Sequence, residues 1–380
     1  MLYIIEYAYN PNTASGNRLL GYFRQWDKMG VEAKVYYLAP STGYDIVSEK
    51  FQHIKFEYCW NRFIPYKKFI KRFFINKYIQ KITRELVPGD IVYTYTISLI
   101  TEQCLKVSGV KVFAEVTEHP KVCSPVADPS LLLDEQSYID TILKLSGLFV
   151  ISNPLKHYFQ QYGIPSSKIH IINMTVDPSR FIGLKKQPSK IKYIAYCGTA
   201  SNTKDGVDEL IKAFYLVTKT HSDVKLMIIG KTPQNDEANK NLELINNLGL
   251  KEKVIFTGIV SFHDMPQLLK NAEIMALDRP DNMQAKYGFP TKLGEYLLSG
   301  NPVVVTAVGD IPYYLENGVS ALIVPPSDAT SFSQSLIWIL DNPDKAKIIG
   351  ENGRKVAMAF FNSQIESEKI IDHFMNAILR

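Results

Sequence analysis

The chain has 380 residues, of which 46% are apolar and 21% are charged. That length accommodates two domains of ordinary size, and the composition is typical of a soluble globular protein. A formal net charge of +5 is too small to indicate a nucleic acid partner. Uninterrupted apolar runs such as 148–151 and 303–305 are as long as strands, far shorter than a membrane span.

The cysteines and the first residues indicate a cellular compartment. The cysteines are widely spaced and form no CxxC pair, which argues against a structural zinc site and predicts free thiols in a reducing cytoplasm. They are Cys59, Cys104, Cys123 and Cys197. The segment MLYIIEYAYN has no basic region and has the pattern of a strand, so we expect no signal peptide.

The chain opens with a β–α–β pattern. We predict a strand at 2–7, a helix from Asn17 to about Met29 and a second strand at 33–38. The turn formers and small residues between the first strand and the helix end at Gly16. Such a loop at a helix N-terminus suits a diphosphate, although a plain strand–helix turn explains the same residues equally well.

A basic segment follows between Trp60 and Glu85. Its eight cations are opposed by one carboxylate; the cations are Arg62, Lys67, Lys68, Lys71, Arg72, Lys77, Lys81 and Arg84. The phase of the apolar residues flips after Ile75, which predicts two helices with a break near Asn76. The first helix, 65–74, places five large apolar groups opposite four cations, a composition typical of helices on anionic membranes. A solvated basic face above a core stripe explains the pattern equally well.

A polar cluster comes at the end of another predicted strand, Val110 to Val116. The residues that follow it are Thr117, Glu118, His119 and Pro120. The carboxyl ends of strands in an open parallel sheet border the crevice where ligands bind. Glu118 and His119 are therefore candidate site residues, although a histidine in a loop more often has no chemical role.

The second half of the chain begins after a polar, proline-containing segment at 183–190, which is typical of a linker between domains. Short apolar strands then alternate with helical segments, which predicts a second parallel sheet. The predicted strands are 191–197, 224–230, 254–258 and 273–277, with a helix at 207–218. The loop after the first of them, GTASNTKDG, contains Lys204.

The stretch from Lys286 to Pro326 continues this alternation. We expect a helix to begin at Thr291 and to stop before Gly300, and another helix to open at Gly309. The polar residues collect in the turn and the first turns of the helix; they are Lys286, Tyr287, Thr291, Lys292 and Glu295. The beginning of a helix in a parallel-sheet protein is where anionic ligands bind.

A family resemblance rests on this stretch. Residues 288–328, GFPTKLGEYLLSGNPVVVTAVGDIPYYLENGVSALIVPPSD, resemble the donor-binding signature of retaining glycosyltransferases of the GT-B fold, in the large family 4 group. The resemblance implies an α/β protein with two Rossmann-like parallel-sheet domains facing across a cleft. Residues 1–183 would bind the acceptor, with a C-terminal helix at 362–380 crossing back to them. Residues 190–361 would bind the nucleotide-sugar donor.

The resemblance also implies roles for single residues. Family members often have two glutamates separated by seven residues; Glu295 fills the second position, as a ribose ligand, and Tyr287 the first. Thr199 replaces a family arginine, and Lys204 keeps a family lysine. We infer that Lys204 and an exposed Lys292 neutralise the donor diphosphate. The implied donor-binding residues are Gly16, Gly198, Lys204, Val260, Tyr287, Gly288, Phe289, Pro290, Thr291, Lys292 and Glu295.

The chemistry of transfer extends this list to the reacting groups. Negative charge grows on the leaving phosphate in the transition state, and fixed cations stabilise it there. The candidate catalytic residues are Glu118, His119, Lys204 and Lys292, with His119 placed by the resemblance beside the reacting sugar. Two lysines make a divalent metal redundant, and the chain has no Asp-x-Asp sequence to hold one. We therefore expect neither a metal nor another cofactor.

The predicted function is transfer of a sugar from a nucleotide-diphosphate sugar to a hydroxyl of a glycan or lipid-linked acceptor. Retention of the anomeric configuration and a place in bacterial surface polysaccharide synthesis, at the inner face of the membrane, follow from the resemblance. Two alternatives stay open: a nucleotide-sugar-modifying enzyme of the 2-epimerase type, and a catalytically silent GT-B subunit that binds a partner. A dinucleotide oxidoreductase is disfavoured because no GxGxxG opens either domain.

Overall fold

The computed structural model describes residues 1–8, 13–38, 47, 49–59, 68–122, 131–188, 191–232 and 235–379, without the side chains of 68–72. The chain divides into two compact units, Met1–Asn173 with Ser363–Arg380, and Met174–Asn362. Among the described helices, none combines the length and the apolar character that a membrane span requires.

The second unit begins upstream of the polar segment 183–190 from which the domain boundary was predicted. Val176 donates its amide to the carbonyl of Phe361, at 2.8 Å. Arg180 forms an ion pair with Glu295. These bonds attach the segment after Asn173 to the second unit.

The first unit is built on a parallel sheet of seven strands. The strands are β1 (Leu2–Glu6), β2 (Ala33–Tyr37), β3 (Ile54–Tyr58), β4 (Ile91–Tyr95), β5 (Lys111–Val116), β6 (Gly147–Val150) and β7 (Ile169–Ile171). Their order across the sheet is β3-β2-β1-β4-β5-β6-β7. The helices are α1 (Ala14–Lys28), α2 (Lys68–Glu85), α3 (Leu99–Cys104), α4 (Glu135–Lys144), α5 (Asn153–Gln160) and, from the end of the chain, α15 (Ser363–Ile378).

The second unit has a parallel sheet of six strands, in the order β10-β9-β8-β11-β12-β13. The strands are β8 (Lys192–Cys197), β9 (Val224–Ile229), β10 (Val254–Gly258), β11 (Ile274–Leu277), β12 (Val303–Thr306) and β13 (Leu322–Val324). The helices are α6 (Asn202–Asp205), α7 (Val207–Val217), α8 (Asp236–Asn247), α9 (Met265–Asn271), α10 (Met283–Tyr287), α11 (Thr291–Leu298), α12 (Ile311–Tyr314), α13 (Ala329–Asp341) and α14 (Pro343–Phe360). The two predicted Rossmann-like sheets are confirmed.

Aromatic side chains fill the core of the first unit. Trp26 of α1 is buried and packs against Phe374 of α15, with ring centroids 6.4 Å apart. Phe374 also lies edge-on to Phe113 of β5, at 4.8 Å. The indole nitrogen of Trp26 donates to the carbonyl of Ser367, at 3.2 Å. The last helix is therefore an integral part of the first unit's core.

The prediction of two helices with a break near Asn76 is wrong, because α2 runs unbroken through that residue. Ile75, Ile79 and Ile82 are buried along one stripe of the helix. The change in the apolar pattern after Ile75 arises because Phe73 and Phe74 lie off the buried stripe; their side chains are 51% and 39% exposed. One continuous helix thus buries its later apolar residues and leaves the earlier aromatic pair on the surface. Residues 65–67 of the predicted amphipathic helix lie outside the described residues.

A buried ion pair crosses the first unit from α1 to the sheet. Arg18 Nε lies 2.6 Å from Glu115 Oε1, and both side chains are almost fully buried. The remaining guanidinium nitrogens donate to the carbonyls of Asn173 and Ile172, at 2.6 and 2.9 Å. Tyr93 donates its hydroxyl to the other oxygen of Glu115. The charge of Glu115 is thus compensated by a cation and a buried hydroxyl donor.

Removing Arg18 should destabilise the first unit strongly. Arg18→Met leaves Glu115 buried without a cation, which we expect to lower the free energy of unfolding by about 3–5 kcal/mol. The measurement is urea unfolding followed by circular dichroism. Lys192→Met is the control, since it breaks an exposed pair with Asp223 and should change little. Equal losses in the two variants would contradict the importance of the buried pair.

Candidate functional site

The strand order of the second sheet locates a crevice. The chain leaves β8 towards β9 on one side and returns to β11 on the other side. In such sheets, ligands bind beyond the carboxyl ends of the two strands at which the order reverses. The residues there are Gly198, after β8, and Asp278 and Arg279, after β11.

Glycines at this edge keep the backbone open. The amide of Gly198 donates to the carbonyl of Ile229, at 2.8 Å. Gly198 has a φ of +153°, and a side chain there would collide with the ammonium of Lys292. A Cβ on Gly230 would lie 2.5 Å from the carbonyl oxygen of Gly198. The edge therefore presents main chain rather than side chains to a ligand.

The helix α11 brings its first turn to the same place. It begins at Thr291, as predicted, and ends at Leu298; Gly300, two residues later, has a left-handed backbone with a φ of +71°. Pro290 precedes the helix and provides no side-chain cap. The first amides of α11 and the positive end of its dipole thus lie beside Lys292.

Lys292 is held by an ion pair rather than being exposed, which corrects the prediction. Its ammonium lies 2.5 Å from Asp205 Oδ2 and 3.0 Å from the hydroxyl of Tyr196. The side chain is only 16% exposed and also lies over the Tyr196 ring, 4.6 Å from its centroid. Burial lowers the pKa of the Lys292 ammonium, and the neighbouring Asp205 opposes that shift.

Asp205 is the centre of this cluster. Its carboxylate is 2% exposed and accepts from the hydroxyl of Tyr196, at 2.7 Å. Arg279 Nε lies 3.9 Å from its other oxygen. Burial raises the pKa of the Asp205 carboxyl, but Lys292, Tyr196 and Arg279 outweigh it, and the pKa lies below its usual value. One buried carboxylate thus lies between two cations.

Glu295 is also paired. Arg180 forms an ion pair with its Oε1 and donates from the other guanidinium nitrogen to the carbonyl of Phe262, at 2.8 Å. The guanidinium carbon lies 3.6 Å from the centroid of the Phe262 ring. Arg180 therefore fixes the direction of the glutamate.

The other predicted donor-binding residues of the second unit vary in exposure. Lys204 lies in α6 with an exposed side chain and forms no ion pair in the described part of the chain. Tyr287 ends α10 and is half-buried, with the ammonium of Lys286 5.6 Å from its ring centroid. Val260 is half-buried two residues after β10. Gly309 precedes the short helix α12 rather than opening it, because its backbone is left-handed, with a φ of +53°.

The remaining candidates, Gly16, Glu118 and His119, belong to the first unit. Helix α1 begins three residues earlier than predicted, because Thr13 caps it, and the amide of Gly16 donates to the Thr13 hydroxyl at 3.1 Å. His119 is buried, and its Nδ1 accepts from the amide of Lys121, at 3.1 Å. Burial, with a smaller effect of Lys121, lowers the pKa of His119, which favours the neutral imidazole. The catalytic roles of Glu118 and His119 stay predictions.

Sequence reasoning missed the partners that organise the site, namely Asp205, Tyr196, Arg279 and Arg180. One of them had a usable signal, since Arg279 follows the apolar strand β11 at the ligand-binding edge. Asp205 and Arg180 had none, because they meet Lys292 and Glu295 from 87 and 115 residues away in the chain.

Asp278 is a buried acid beside the cluster. It is 1% exposed, and its Oδ2 has no hydrogen-bond partner in the described residues. Burial, assisted by the carboxylates of Glu209 and Asp208, raises its pKa to about 7. The folded protein therefore keeps this carboxyl partly neutral at physiological pH.

The sequence of residues 182–356 matches the family described as glycosyl transferases group 1. One relative is the MMP alpha-(1->4)-mannosyltransferase of Mycolicibacterium hassiacum, 25% identical over 61% of this chain and 54% of that protein. Another is the N-acetyl-alpha-D-glucosaminyl L-malate synthase of Bacillus anthracis, 27% identical over 44% of this chain and 40% of that protein. The matched part of this chain thus spans about half the length of these relatives.

Solved structures match along the whole chain. Anabaena Alr3699/HepE, crystallised in complex with UDP, has a TM-score of 0.75 at 16% identity and covers 99% of both chains. The sucrose-phosphate synthase of Thermosynechococcus elongatus has a TM-score of 0.76 at 15% identity, over 99% of this chain and 98% of that chain. At such identities the likeness establishes the fold, which is GT-B.

The buried acid makes stability depend on pH. The folded state holds the Asp278 proton up to about pH 7, whereas an unfolded carboxyl releases it near pH ~4. Its contribution to stability is therefore lost as the pH rises from about 4 to 7. Asp278→Asn, which is always neutral, should raise the melting temperature above wild type at pH 8 and by less at pH 5. Asp223→Asn, at an exposed site, is the control; the same response in both variants would contradict the assignment.

Proposed function

We propose that this chain, whose residues 182–356 match the family described as glycosyl transferases group 1, is a glycosyltransferase that uses a nucleotide-diphosphate sugar as its donor. The observation that carries the proposal is the cluster around Lys292. It brings two cations, Lys292 and Arg279, to the switch point of the second sheet, beside the start of α11.

The cluster suits the leaving group of the reaction. When the bond between the sugar and the diphosphate breaks, negative charge accumulates on the phosphate. Lys292 and the amides at the beginning of α11 are fixed before the reaction, so they stabilise that charge without reorganising. The exposed Lys204 supplies a second cation. These cations remove the need for a divalent metal.

Glu295 is proposed to bind the ribose. A carboxylate accepts hydrogen bonds from two vicinal hydroxyls, and the ion pair with Arg180 points it in one direction. Alr3699/HepE has been crystallised in complex with UDP and with UDP-glucose, so uridine nucleotides are the first donors to test. We propose retention of configuration and a hydroxyl of a glycan or lipid-linked precursor as the acceptor.

A role in surface polysaccharide synthesis would bring the protein to the membrane. A relative from Escherichia coli, 26% identical over 55% of this chain, is named a putative colanic acid biosynthesis glycosyltransferase. Phe73 and Phe74 at the beginning of α2 are exposed and contact each other, with ring centroids 5.8 Å apart. Lys77 lies over the Phe73 ring, at 4.7 Å. Exposed aromatic rings next to cations are typical of surfaces that bind anionic lipids, and we propose reversible attachment through 65–74.

Lys292→Ala should weaken transfer greatly. A thermal-shift panel of UDP-, GDP-, ADP- and CMP-sugars first identifies the donor. With that donor, the loss of one preorganised cation should lower turnover by about two orders of magnitude, or ~3 kcal/mol. Circular dichroism checks that the variant is folded.

Lys192→Ala is the matched control, because it removes an exposed lysine of the same unit on β8. It should keep wild-type turnover. Addition of EDTA should leave the turnover of the wild type unchanged, since no metal takes part in the proposal. Near-normal turnover of Lys292→Ala would contradict the proposal that Lys292 binds the donor diphosphate.

Charge reversal in the basic segment should abolish membrane attachment. Each basic residue near an anionic leaflet contributes about 1 kcal/mol, so four of them give reversible, salt-sensitive binding. The changes are Lys67→Glu, Lys68→Glu, Lys71→Glu and Arg72→Glu. The measurement is co-sedimentation with phosphatidylglycerol vesicles at low and high salt.

A control variant applies the same change in charge to exposed residues of α14. Its substitutions are Lys345→Glu, Lys347→Glu, Arg354→Glu and Lys355→Glu. This variant should sediment with vesicles like the wild type. Equal binding by all three proteins, or none by any of them, would show that the basic segment does not attach the protein to membranes.

A further inference from the structure

We infer that Asp205 is a positioning residue whose negative charge keeps Lys292 protonated and fixed in the donor site. The inference rests on the proposed function and adds a residue to it. Asp205 is too deeply buried to offer its own carboxylate to a ligand. Its oxygens are directed at the side chains of Lys292, Tyr196 and Arg279.

The ionisable groups around Lys292 come from four elements. Asp205 comes from α6 and Arg279 from the segment after β11. Tyr196 and Cys197 come from β8, and burial raises the pKa of both, that of Cys197 to about 12. On α11 itself, Glu295 is engaged by Arg180. Asp205 is thus the carboxylate bonded directly to Lys292, and the nearby Arg279 opposes the charge of the ammonium.

Burial makes this carboxylate necessary. An ammonium taken out of water loses protons at a much lower pH unless a counter-charge is close. Lys292 is 16% exposed and lies near a second cation, so both effects favour its neutral form. A neutral Lys292 would not attract the negative charge of a diphosphate. The ion pair at 2.5 Å opposes both effects and also fixes the position of Nζ.

The opposite expectation follows if Asp205 acts only as a negative charge near the ligand. A carboxylate close to a diphosphate repels it, and its removal would then strengthen binding. The two accounts therefore predict opposite signs for Asp205→Asn. If Asp205 is a positioning residue, Lys292 of the variant loses its proton at a lower pH than Lys292 of the wild type. The affinity of the variant for UDP then falls as the pH rises above that value.

The first measurement needs no ligand. Lysines labelled with ¹³C at Cε report their protonation by NMR, and Lys292→Met identifies the signal of Lys292. We expect Asp205→Asn to lower the titration midpoint of Lys292 by about two pH units or more. Tyr196→Phe removes a hydrogen bond to Lys292 but no charge, so it should shift the Lys292 midpoint by less. Arg279→Gln removes the second cation and should raise it.

The second measurement is the affinity for UDP between pH 6.5 and 9.5, by calorimetry on the full chain. Above its lowered midpoint, Asp205→Asn should lose about tenfold in affinity per pH unit relative to wild type. Asp208→Asn, which removes a half-exposed carboxylate of α7 that faces Lys212, is the control and should follow wild type. A merely structural role for Asp205 would weaken binding by the same factor at every pH.

The outcomes separate this inference from the proposed function. If the wild type binds none of the nucleotides UDP, GDP, ADP and CMP, the proposed function fails. The NMR titration still decides the inference in that case. An unchanged Lys292 midpoint in Asp205→Asn, or tighter UDP binding by it, overturns the inference. Where Asp205→Asn does not fold, the wild type decides: a buried Lys292 that is still charged at pH 7 supports the inference, and one that is neutral at pH 7 overturns it.

Discussion

The ion pair between Lys292 and Asp205 is the interaction on which the candidate site depends. It joins the beginning of α11 to the end of α6, two segments that are 87 residues apart in the chain. A cation that must attract an anionic ligand would be well solvated at the surface, where its field is weak. Burial strengthens the field but favours the neutral amine. A buried carboxylate shared with Arg279 reconciles the two, because it keeps the buried lysine charged.

The first unit uses a buried carboxylate differently. Glu115 has its charge matched by Arg18, and the hydroxyl of Tyr93 satisfies the second oxygen. That pair ties α1 to the sheet and leaves no net charge, so it serves stability. In the cluster of the second unit, two cations share the carboxylate of Asp205. The same chemical groups therefore produce a structural bond in one sheet and a candidate anion site in the other, according to how many charges are buried together.

Much of the fold could be predicted from the sequence, because its signals are local. The strand 254–258 has the predicted bounds, and α11 begins at Thr291 as predicted. The continuity of α2 could not be predicted, because only tertiary packing shows that Phe73 and Phe74 stay exposed. Motif positions located Lys292 and Glu295, but their partners Asp205 and Arg180 are close only in the folded chain. Side-chain pairing is set by the sheet order, which no local pattern contains.

The central claim is that the charge of Lys292 receives the diphosphate of the donor, and a crystal structure with UDP bound tests it most directly. The account predicts a β-phosphate oxygen within about 3.2 Å of Lys292 Nζ, near the first amides of α11. It also predicts that Asp205 still contacts the ammonium from the side opposite the ligand. A nucleotide whose phosphates lie away from Lys292, with the lysine bonded only to Asp205 and Tyr196, would contradict the account.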